Sequence, residues 1–343
     1  MRKKERAIIL ALMAAVFYAI STPISKLLMQ YVPSTMMAGF LYLGAGVGVG
    51  AMYAFKVKSE PKSERLGRED AWYTAGMIAL DIAAPIFLMI GIKSSSASGA
   101  ALLENFEIVA TTLIALIIFK EVVTKRLWIA IALITAASFI LTLDGTEGVH
   151  FSLGSLFVLL ATVCWGLENN CTRNISSKST YEIVLLKGVF SGLGALIIAL
   201  IVGEHFPAAR YIFAVMLLGF IAYGLSIFVY IRAQRELGAA KTSAYYAVAP
   251  FVGAALSFAL LGERPSIAYL IGLLFMIAGT AVVVADTIIR SHAHEHVHTF
   301  THEHDGSVHT HTVTHVHAHN HYGVHDKHGH HHSDSELEQE LNK

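Results

Sequence analysis

Apolar segments long enough to cross a membrane recur along the chain, and short polar connections separate them. A helix of about 20 apolar residues spans a hydrocarbon core of roughly 30 Å, and a helix satisfies its own backbone hydrogen bonds where water is absent. Ten such spans are predicted, at residues 7–29, 34–55, 71–92, 97–119, 127–144, 152–173, 180–202, 211–232, 241–261 and 266–287. The pattern therefore predicts an all-α membrane protein with ten transmembrane helices.

The composition agrees with a membrane protein. The 343 residues are 55% hydrophobic and 15% charged, whereas a soluble domain carries about a quarter charged residues. The first span is too long for a signal peptide, and it carries Pro23 and Lys26 in place of a small-residue cleavage site. Residues 1–290 hold 23 Lys and Arg against 17 Asp and Glu, while residues 291–343 hold 2 against 8. A basic membrane body is thus joined to an acidic tail.

Basic residues are concentrated in alternate connections between the predicted spans. Eighteen lie in the N-terminal stretch or in and beside the connections that follow the even-numbered spans. Only three, Lys93, Arg210 and Arg264, lie in the connections that follow the odd-numbered spans, on the opposite side of the membrane. Lys and Arg favour cytoplasmic loops. We therefore predict a multi-pass protein of the plasma (inner) membrane with both termini in the cytoplasm.

The second half of the chain repeats the first with a shift of 142 residues near the end of each half. The segment that begins at residues 97–100 leads to Glu121, and the segment that begins at residues 239–242 leads to Glu263. Further matches are Gly44 with Gly188, Gly48 with Gly192, Gly50 with Gly194, Lys26 with Arg173 and Asp144 with Asp286. Five spans in each copy would place the copies upside down relative to each other. Inverted repeats with a site between them are a common architecture of secondary transporters.

Short motifs at corresponding places in the two halves carry a family pattern. They are Phe17-Tyr18-Ala19 and Cys164-Trp165-Gly166, Lys26 and Arg173, Ala249-Pro250-Phe251, Glu121 and Glu263, and Gly272 and Gly279. With the two five-helix units, they resemble the EamA-type branch of the drug/metabolite transporter superfamily. The resemblance implies a carrier of small organic solutes, commonly amino acids or related metabolites, often exported and often coupled to protons. We assign residues 1–146 and 147–290 to two EamA-like repeats and residues 291–343 to a flexible His-rich tail.

Several polar residues fall inside the predicted spans. A charge near the bilayer centre costs on the order of 3 kcal/mol on insertion scales, so such residues should face the bundle interior or a wet cavity. The candidates for a substrate pathway are Asp81, Glu104, Glu107, Glu168, Asn169, Tyr223 and Tyr245. Glu104 and Glu107 are three residues apart and should share one helix face. These groups would bind a cation, a substrate ammonium group or a coupling proton, and the alternative is silent pairing of Asp81 or Glu107 with Lys187.

Three prolines, Pro23, Pro85 and Pro250, lie inside predicted spans. Proline removes an intrahelical hydrogen bond and kinks the helix, and broken helices in transporters expose backbone groups to the substrate. We predict a gating role for these prolines, with a packing kink as the alternative. Two pairs of glycines have a four-residue spacing, Gly44 with Gly48 and Gly188 with Gly192. This spacing favours close packing of helices within the chain or, alternatively, a homodimer contact.

The tail holds 17 of the 19 histidines, mostly with a His-x-His spacing. Neutral imidazole is a good ligand for Zn, Ni, Co and Cu, and such tracts are typical of metal binding. The candidate ligands are His292, His294, His296, His298, His302, His304, His309, His311, His315, His317, His319 and His321. Asp305-Gly306 is a hairpin turn signal that would bring residues 302–304 and 309–311 together. The alternative is a disordered polar tail without a metal role.

Two functions follow from these patterns. The first is a secondary-active exporter of small organic solutes that works by alternating access. The second is a transition-metal exporter or metal-regulated carrier that uses the tail. An enzyme is not indicated, because no nucleophile with a paired base and no phosphate-cradling glycine loop is recognisable. The expected partners are the lipid bilayer, a small-molecule substrate, a coupling proton and transition metals, with no nucleic acid and no required cofactor.

Overall fold

The computed structural model describes residues 3–56, 61, 64–119, 125–142, 144–145, 148–149, 152–175, 178–237, 242, 245–290, 292–304 and 307–319. Glu121, His321 and the other histidines beyond residue 319 lie outside these ranges. Within residues 285–319, the backbone of both tail strands is described, but the histidine side chains are not.

Helices form nearly all of the membrane body. The α-helices are α1 (Lys3–Ala19), α2 (Ser21–Leu28), α3 (Ser34–Ala54), α4 (Ala71–Ser94), α5 (Ala97–Leu103), α6 (Phe106–Phe119), α7 (Lys125–Thr142), α8 (Leu153–Ile175), α9 (Thr180–Ile201), α10 (Ala209–Gly219), α11 (Ser226–Leu237), α12 (Ala249–Leu261) and α13 (Ile267–Arg290). A 3-10 turn, Arg68–Asp70, precedes α4, and a π-helical turn, Phe220–Leu225, joins α10 to α11. Short strands β1 (Asp144–Gly145) and β2 (Gly148–Val149) pair between α7 and α8.

Seven helical segments in the described part of the chain are long and apolar enough to cross a membrane. They fall at the first, second, third, fifth, seventh, eighth and tenth predicted spans. The other three predicted spans are also helical, but each departs from a plain apolar helix. The fourth is divided between α5 and α6, the sixth is α8 with the polar run 168–170, and the ninth contains α12, which has 13 residues. These three spans are thus shortened, divided or more polar than the other seven.

Corresponding helices of the two halves pack antiparallel. On α3 and α9, the second helices of each half, Gly39 faces Gly192 while Gly50 faces Leu185 farther along in the opposite direction. The fifth helices, α7 and α13, have the same relation, with Ile134 beside Gly279 and Leu141 beside Gly272. A helix and its repeat counterpart can run antiparallel only if the two copies are inverted. The predicted inversion is therefore present in the structure.

Glycine allows α3 and α9 to approach closely. A Cβ atom on Gly188 would lie 2.4 Å from the backbone nitrogen of Gly46, which is shorter than any real contact of that kind. The four predicted glycines, Gly44, Gly48, Gly188 and Gly192, all face another helix of the same chain. Their predicted role in helix packing is confirmed.

The chain divides into two compact units, Met1–Val284 and Ala285–Lys343. The second unit contains an antiparallel hairpin in which β3 (His292–His304) pairs with β4 (Ser307–His319), and His302 lies opposite His309. This register is the one that a turn at residues 305–306 predicts. The described tail residues therefore pair as a hairpin, in which the alternating Val and Thr residues suit strands. The flexibility of the tail stays a prediction.

Candidate functional site

A buried charge cluster joins three helices from both halves of the bundle. The Lys187 ammonium on α9 lies 3.0 Å from a carboxylate oxygen of Asp81 on α4 and 3.0 Å from one of Glu168 on α8. Asp81 is fully buried, and Glu168 is 2% exposed. We call these three residues the charge cluster. The predicted pairing of Asp81 with Lys187 is present, and Glu168 shares the same lysine.

Neutral donors complete the charge cluster. The Tyr42 hydroxyl donates to the second oxygen of Asp81 at 3.0 Å, and the Trp165 indole N–H lies 3.4 Å from the Tyr42 oxygen. Thr172 donates to Glu168. When both carboxylates are ionised, the cluster carries one uncompensated negative charge in an environment where such a charge is costly. A proton or a cationic group bound nearby would therefore be stabilised.

A second acidic group lies where the fourth span is interrupted. The chain turns at Glu104 and Asn105, between α5 and α6, and the Thr22 hydroxyl on α2 donates to Glu104 at 2.8 Å. Glu107, in the first turn of α6, accepts a hydrogen bond of 2.5 Å from the Asn169 amide on α8. The span that carries Glu104 and Glu107 is therefore interrupted between them, and each forms a hydrogen bond with a different helix of the bundle. That they share one face stays a prediction.

Asn105 adds an unused donor at the same interruption. This residue is only 3% exposed, and its amide nitrogen has no hydrogen-bond partner among the described residues. Buried donors are normally satisfied, because leaving one unpaired costs about 1–3 kcal/mol. The Asn105 amide is thus available to an oxygen atom of a bound molecule.

Tyrosines line the neighbouring space. Tyr223 lies in the π-helical turn, and its ring centroid is 5.6 Å from that of Tyr18 and 5.3 Å from that of Tyr42. Ser21 donates to the Tyr223 hydroxyl at 3.4 Å. Tyr223 thus lies beside Tyr42, which donates to Asp81, in a kind of turn that is frequent at functional sites. Its role in a substrate pathway stays a prediction.

The ninth span contributes a tyrosine to the site and differs from the prediction at its proline. The Tyr246 ring centroid is 5.9 Å from that of Tyr18. The pathway role of the neighbouring Tyr245 stays a prediction. Pro250 lies in the first turn of α12, where proline fits without breaking a helix. It follows an interruption at residues 247–248 that corresponds to the one at residues 104–105.

Pro23 and Pro85 each remove one intrahelical hydrogen bond, but only Pro23 lies at a break in its helix. Pro23 cannot donate to the Ala19 carbonyl, and the first span breaks there, with α1 ending at Ala19 and α2 starting at Ser21. Pro85 likewise leaves the Asp81 carbonyl without its intrahelical donor, but α4 continues through it to Ser94. The first span is therefore interrupted beside Thr22, which holds Glu104.

The connection between α4 and α5 is held by two charged side chains. The Glu263 carboxylate accepts hydrogen bonds from the backbone N–H groups of Ala97 at 2.7 Å and Ser98 at 2.9 Å. The Lys26 ammonium donates to three carbonyls at the end of α4, those of Ile92, Lys93 and Ser95. Glu263 is thus a helix cap that joins the two halves.

Several residues of the site were not among the predicted candidates, namely Tyr18, Thr22, Tyr42, Asn105 and Trp165. Tyr42 lies in an otherwise apolar helix and gives no polar pattern. Trp165 was visible only as part of the family motif. Asn105 stands beside Glu104 and could have been included as a neighbouring polar group.

The described residues of the membrane body can be compared with the ligand sets that hold metal ions. Among the residues whose side chains the structure describes, no three His, Cys, Asp or Glu residues are grouped so as to hold a metal ion. The candidate ligands of the tail stand outside that set, since only their backbone is described up to His319, and His321 is not described.

The inverted halves, the interrupted helices and the charged groups buried between them define a multi-pass membrane transporter. The chain belongs to the EamA-like transporter family, which matches residues 5–143 and 152–285. Two matches in one chain agree with the repeat, and the resemblance stated from the sequence is confirmed.

Relatives and a solved structure support the same class. An uncharacterized transporter of Methanothermobacter thermautotrophicus is 24% identical over 294 residues, covering 79% of this chain and 83% of the relative. One from Clostridium kluyveri is 23% identical over 295 residues, covering 81% and 93%. A crystal structure of a protein with 16% identity superposes with a TM-score of 0.60 over 81% of this chain and 95% of that one. That likeness supports the fold alone.

Proposed function

We propose that this transporter is a secondary-active carrier that exports small organic solutes, such as amino acids or related metabolites, by alternating access. The observation that carries the proposal is the position of Lys187 between Asp81 and Glu168, where helices of both halves meet. Charged residues buried in a membrane bundle are costly and usually functional. We propose that the plasma membrane is its location and that both termini are cytoplasmic.

The chemistry of the site favours a solute that has both signs of charge. Glu104 and Glu107 offer carboxylates to an ammonium group. Lys187 and the unpaired Asn105 amide offer donors to a carboxylate. An amino acid presents both groups within a few ångströms. Three buried carboxylates, with Glu107 and Lys187 partly buried beside them, also leave sites for a coupling proton, and no cofactor is needed for such a cycle.

Alternating access requires helices that bend while the site stays near the middle of the bundle. The interruptions at Ile20 and at residues 104–105 and 247–248 supply points of bending beside the polar groups. Pro23 and Pro250 lie next to two of these points, and Pro85 follows Asp81 by one turn. We propose that these prolines set where the helices bend as each half rocks against the other.

Transport by purified protein in liposomes tests the proposal. Radiolabelled amino acids and related metabolites would be offered with and without a pH gradient. We expect accumulation of at least one solute that collapses when a proton ionophore is added. Glu104→Gln keeps an oxygen for the Thr22 hydroxyl but removes the charge, so it should reduce gradient-driven transport at least tenfold while the protein remains folded.

The matched control is Glu69→Gln, which makes the same chemical change at a side chain that is 70% exposed and contacts Lys178. It should transport like the parent protein. Failure of the parent protein to move any solute of a broad panel would contradict the proposal. Equal losses in both variants would contradict the role of Glu104.

The alternative cargo is a transition metal delivered by the tail. The observation that favours it is the density of histidines in residues 292–332. Removing residues 291–343 and measuring the metal content and metal tolerance of cells separates the two functions. A metal exporter would lose tolerance on this deletion, whereas a carrier of organic solutes would retain its transport in liposomes.

A further inference from the structure

The tail hairpin sorts its residues by type between its two faces. Successive residues of a strand alternate between faces, and residues directly opposite on paired strands share a face. On β3 the histidines occupy alternate positions, and the register places them opposite alternate positions of β4. One face therefore carries His292, His294, His296, His298, His302, His304, His309, His311, His315, His317 and His319. We call this set the histidine face.

The opposite face has a different chemistry. It consists of Ala, Val, Thr and Glu residues, with Glu295 opposite Val316 and Glu303 opposite Val308. Every histidine of the two strands thus lies on one side of the hairpin. If the register were shifted by one residue, the histidines of β3 and those of β4 would lie on opposite faces of the hairpin. The single histidine face therefore depends on the observed pairing.

The histidines form two groups along that face. At the base of the hairpin, three consecutive opposite pairs are all histidine: His292 with His319, His294 with His317, and His296 with His315. Toward the turn, His302 lies opposite His309, and the next positions on the same face are His304 and His311. Between the groups, Val313 is opposite His298 and Phe300 is opposite His311. We call these the base group and the tip group.

The spacing within each group suits metal ligation. Residues directly opposite have Cβ atoms about 4.5–5.5 Å apart, and alternate residues of a strand are about 6.6 Å apart. Imidazole nitrogens bind zinc at about 2.0–2.1 Å, and three or four of them complete a tetrahedral site. A set of four histidines on adjacent positions can therefore bind one ion together. Histidines scattered along an irregular chain could bind an ion in the same way only by losing conformational entropy of the chain.

We propose that the histidine face is a binding site for divalent transition-metal ions of the Zn, Ni, Co and Cu class, with one ion at the base group and one at the tip group. The proposed site consists of tail residues only, and the metal ions would bind there whichever solute the membrane body carries. Because the ligand is neutral imidazole, whose ordinary pKa is about 6.5, binding weakens as the pH falls below that value. The bound ion in turn stabilises the paired strands.

The test uses the full-length protein in detergent and Zn²⁺ as the probe, with the number of tightly bound ions measured by equilibrium dialysis. Four substitutions move one opposite pair to the other face without changing the number of histidines: His302→Thr, Thr301→His, His309→Thr and Thr310→His. We expect this variant to lose about one tightly bound ion per chain, because only His304 and His311 remain in the tip group. Co²⁺ bound to the parent protein should show the absorption spectrum of tetrahedral coordination.

The matched control replaces four histidines that lie beyond the hairpin, with His328→Ala, His330→Ala, His331→Ala and His332→Ala. It should retain the tightly bound ions. If the face-exchange variant binds as many ions as the parent protein, or if the control loses as many as the face-exchange variant, the tail binds metal as an unordered chain and the proposal is overturned. Absence of tight Zn²⁺ binding by the parent protein at neutral pH would overturn it as well.

Discussion

At the scale of single residues, the charge cluster is the most demanding part of the molecule. Lys187 serves two carboxylates, so its removal would leave Asp81 and Glu168 buried without a cation. Breaking a buried ion pair by removing one partner typically costs about 3–5 kcal/mol, whereas removing both partners is far less damaging. Stability and function can therefore be separated at this position by comparing single with paired substitutions.

Replacing Lys187 with methionine tests this reasoning. Lys187→Met should lower the midpoint of thermal unfolding in detergent markedly, and adding Asp81→Asn should recover part of the loss because one unpaired charge disappears. Transport should remain absent in the double variant. Lys178→Met is the control, since Lys178 also contacts two carboxylates, those of Glu69 and Asp70, but outside the predicted spans and with one partner, Glu69, that is 70% exposed. An equal loss of stability in both lysine variants would show that burial is not the cause.

At the scale of helices, most of the architecture could be predicted and the interruptions could not. Length and hydropathy place helices at all ten predicted spans, because apolar runs must be helical in a bilayer. The turn at residues 104–105 and the π-helical turn at Phe220–Leu225 have no proline inside them and leave no periodic signal. The same holds for the contact of Thr22 with Glu104, which joins residues 82 positions apart. Such contacts depend on tertiary packing, which a single sequence does not encode locally.

The crossing of α3 and α9 gives a prediction at this scale. Gly188→Ala would place a methyl group against the Gly46 backbone, which cannot move away as a side chain can. Overpacking of this kind costs about 1–3 kcal/mol, so the unfolding midpoint should fall. Gly50→Ala on α3 is the control, because its methyl group would meet only the flexible Leu185 side chain. A comparable fall in both variants would contradict a specific role for the backbone contact.

At the scale of the whole molecule, the inverted repeat determines how the two ends of the bundle are built. Glutamates of the second half cap helix N-termini of the first. Glu204 accepts from the backbone N–H groups of Thr35 and Met36 at the start of α3, as Glu263 does at the start of α5. An anionic side chain is favoured at such a terminus by the helix dipole. These caps connect the halves at the ends of α3 and α5 that are predicted to face outward.

The same inversion predicts the side of each terminus. Two copies of five spans make an even number of crossings, so a label at residue 2 and a label at residue 343 should be on the same, cytoplasmic side. The two native cysteines, Cys164 and Cys171, would first be replaced by alanine, and Arg2→Cys or Lys343→Cys would then be introduced singly. A membrane-impermeant maleimide should label neither in intact cells and both in inside-out vesicles. Arg210→Cys, in a connection predicted to face outward, should give the reverse pattern. Labels at the two termini on opposite sides would require an odd number of crossings, which cannot be built from two equal copies that each cross the membrane five times.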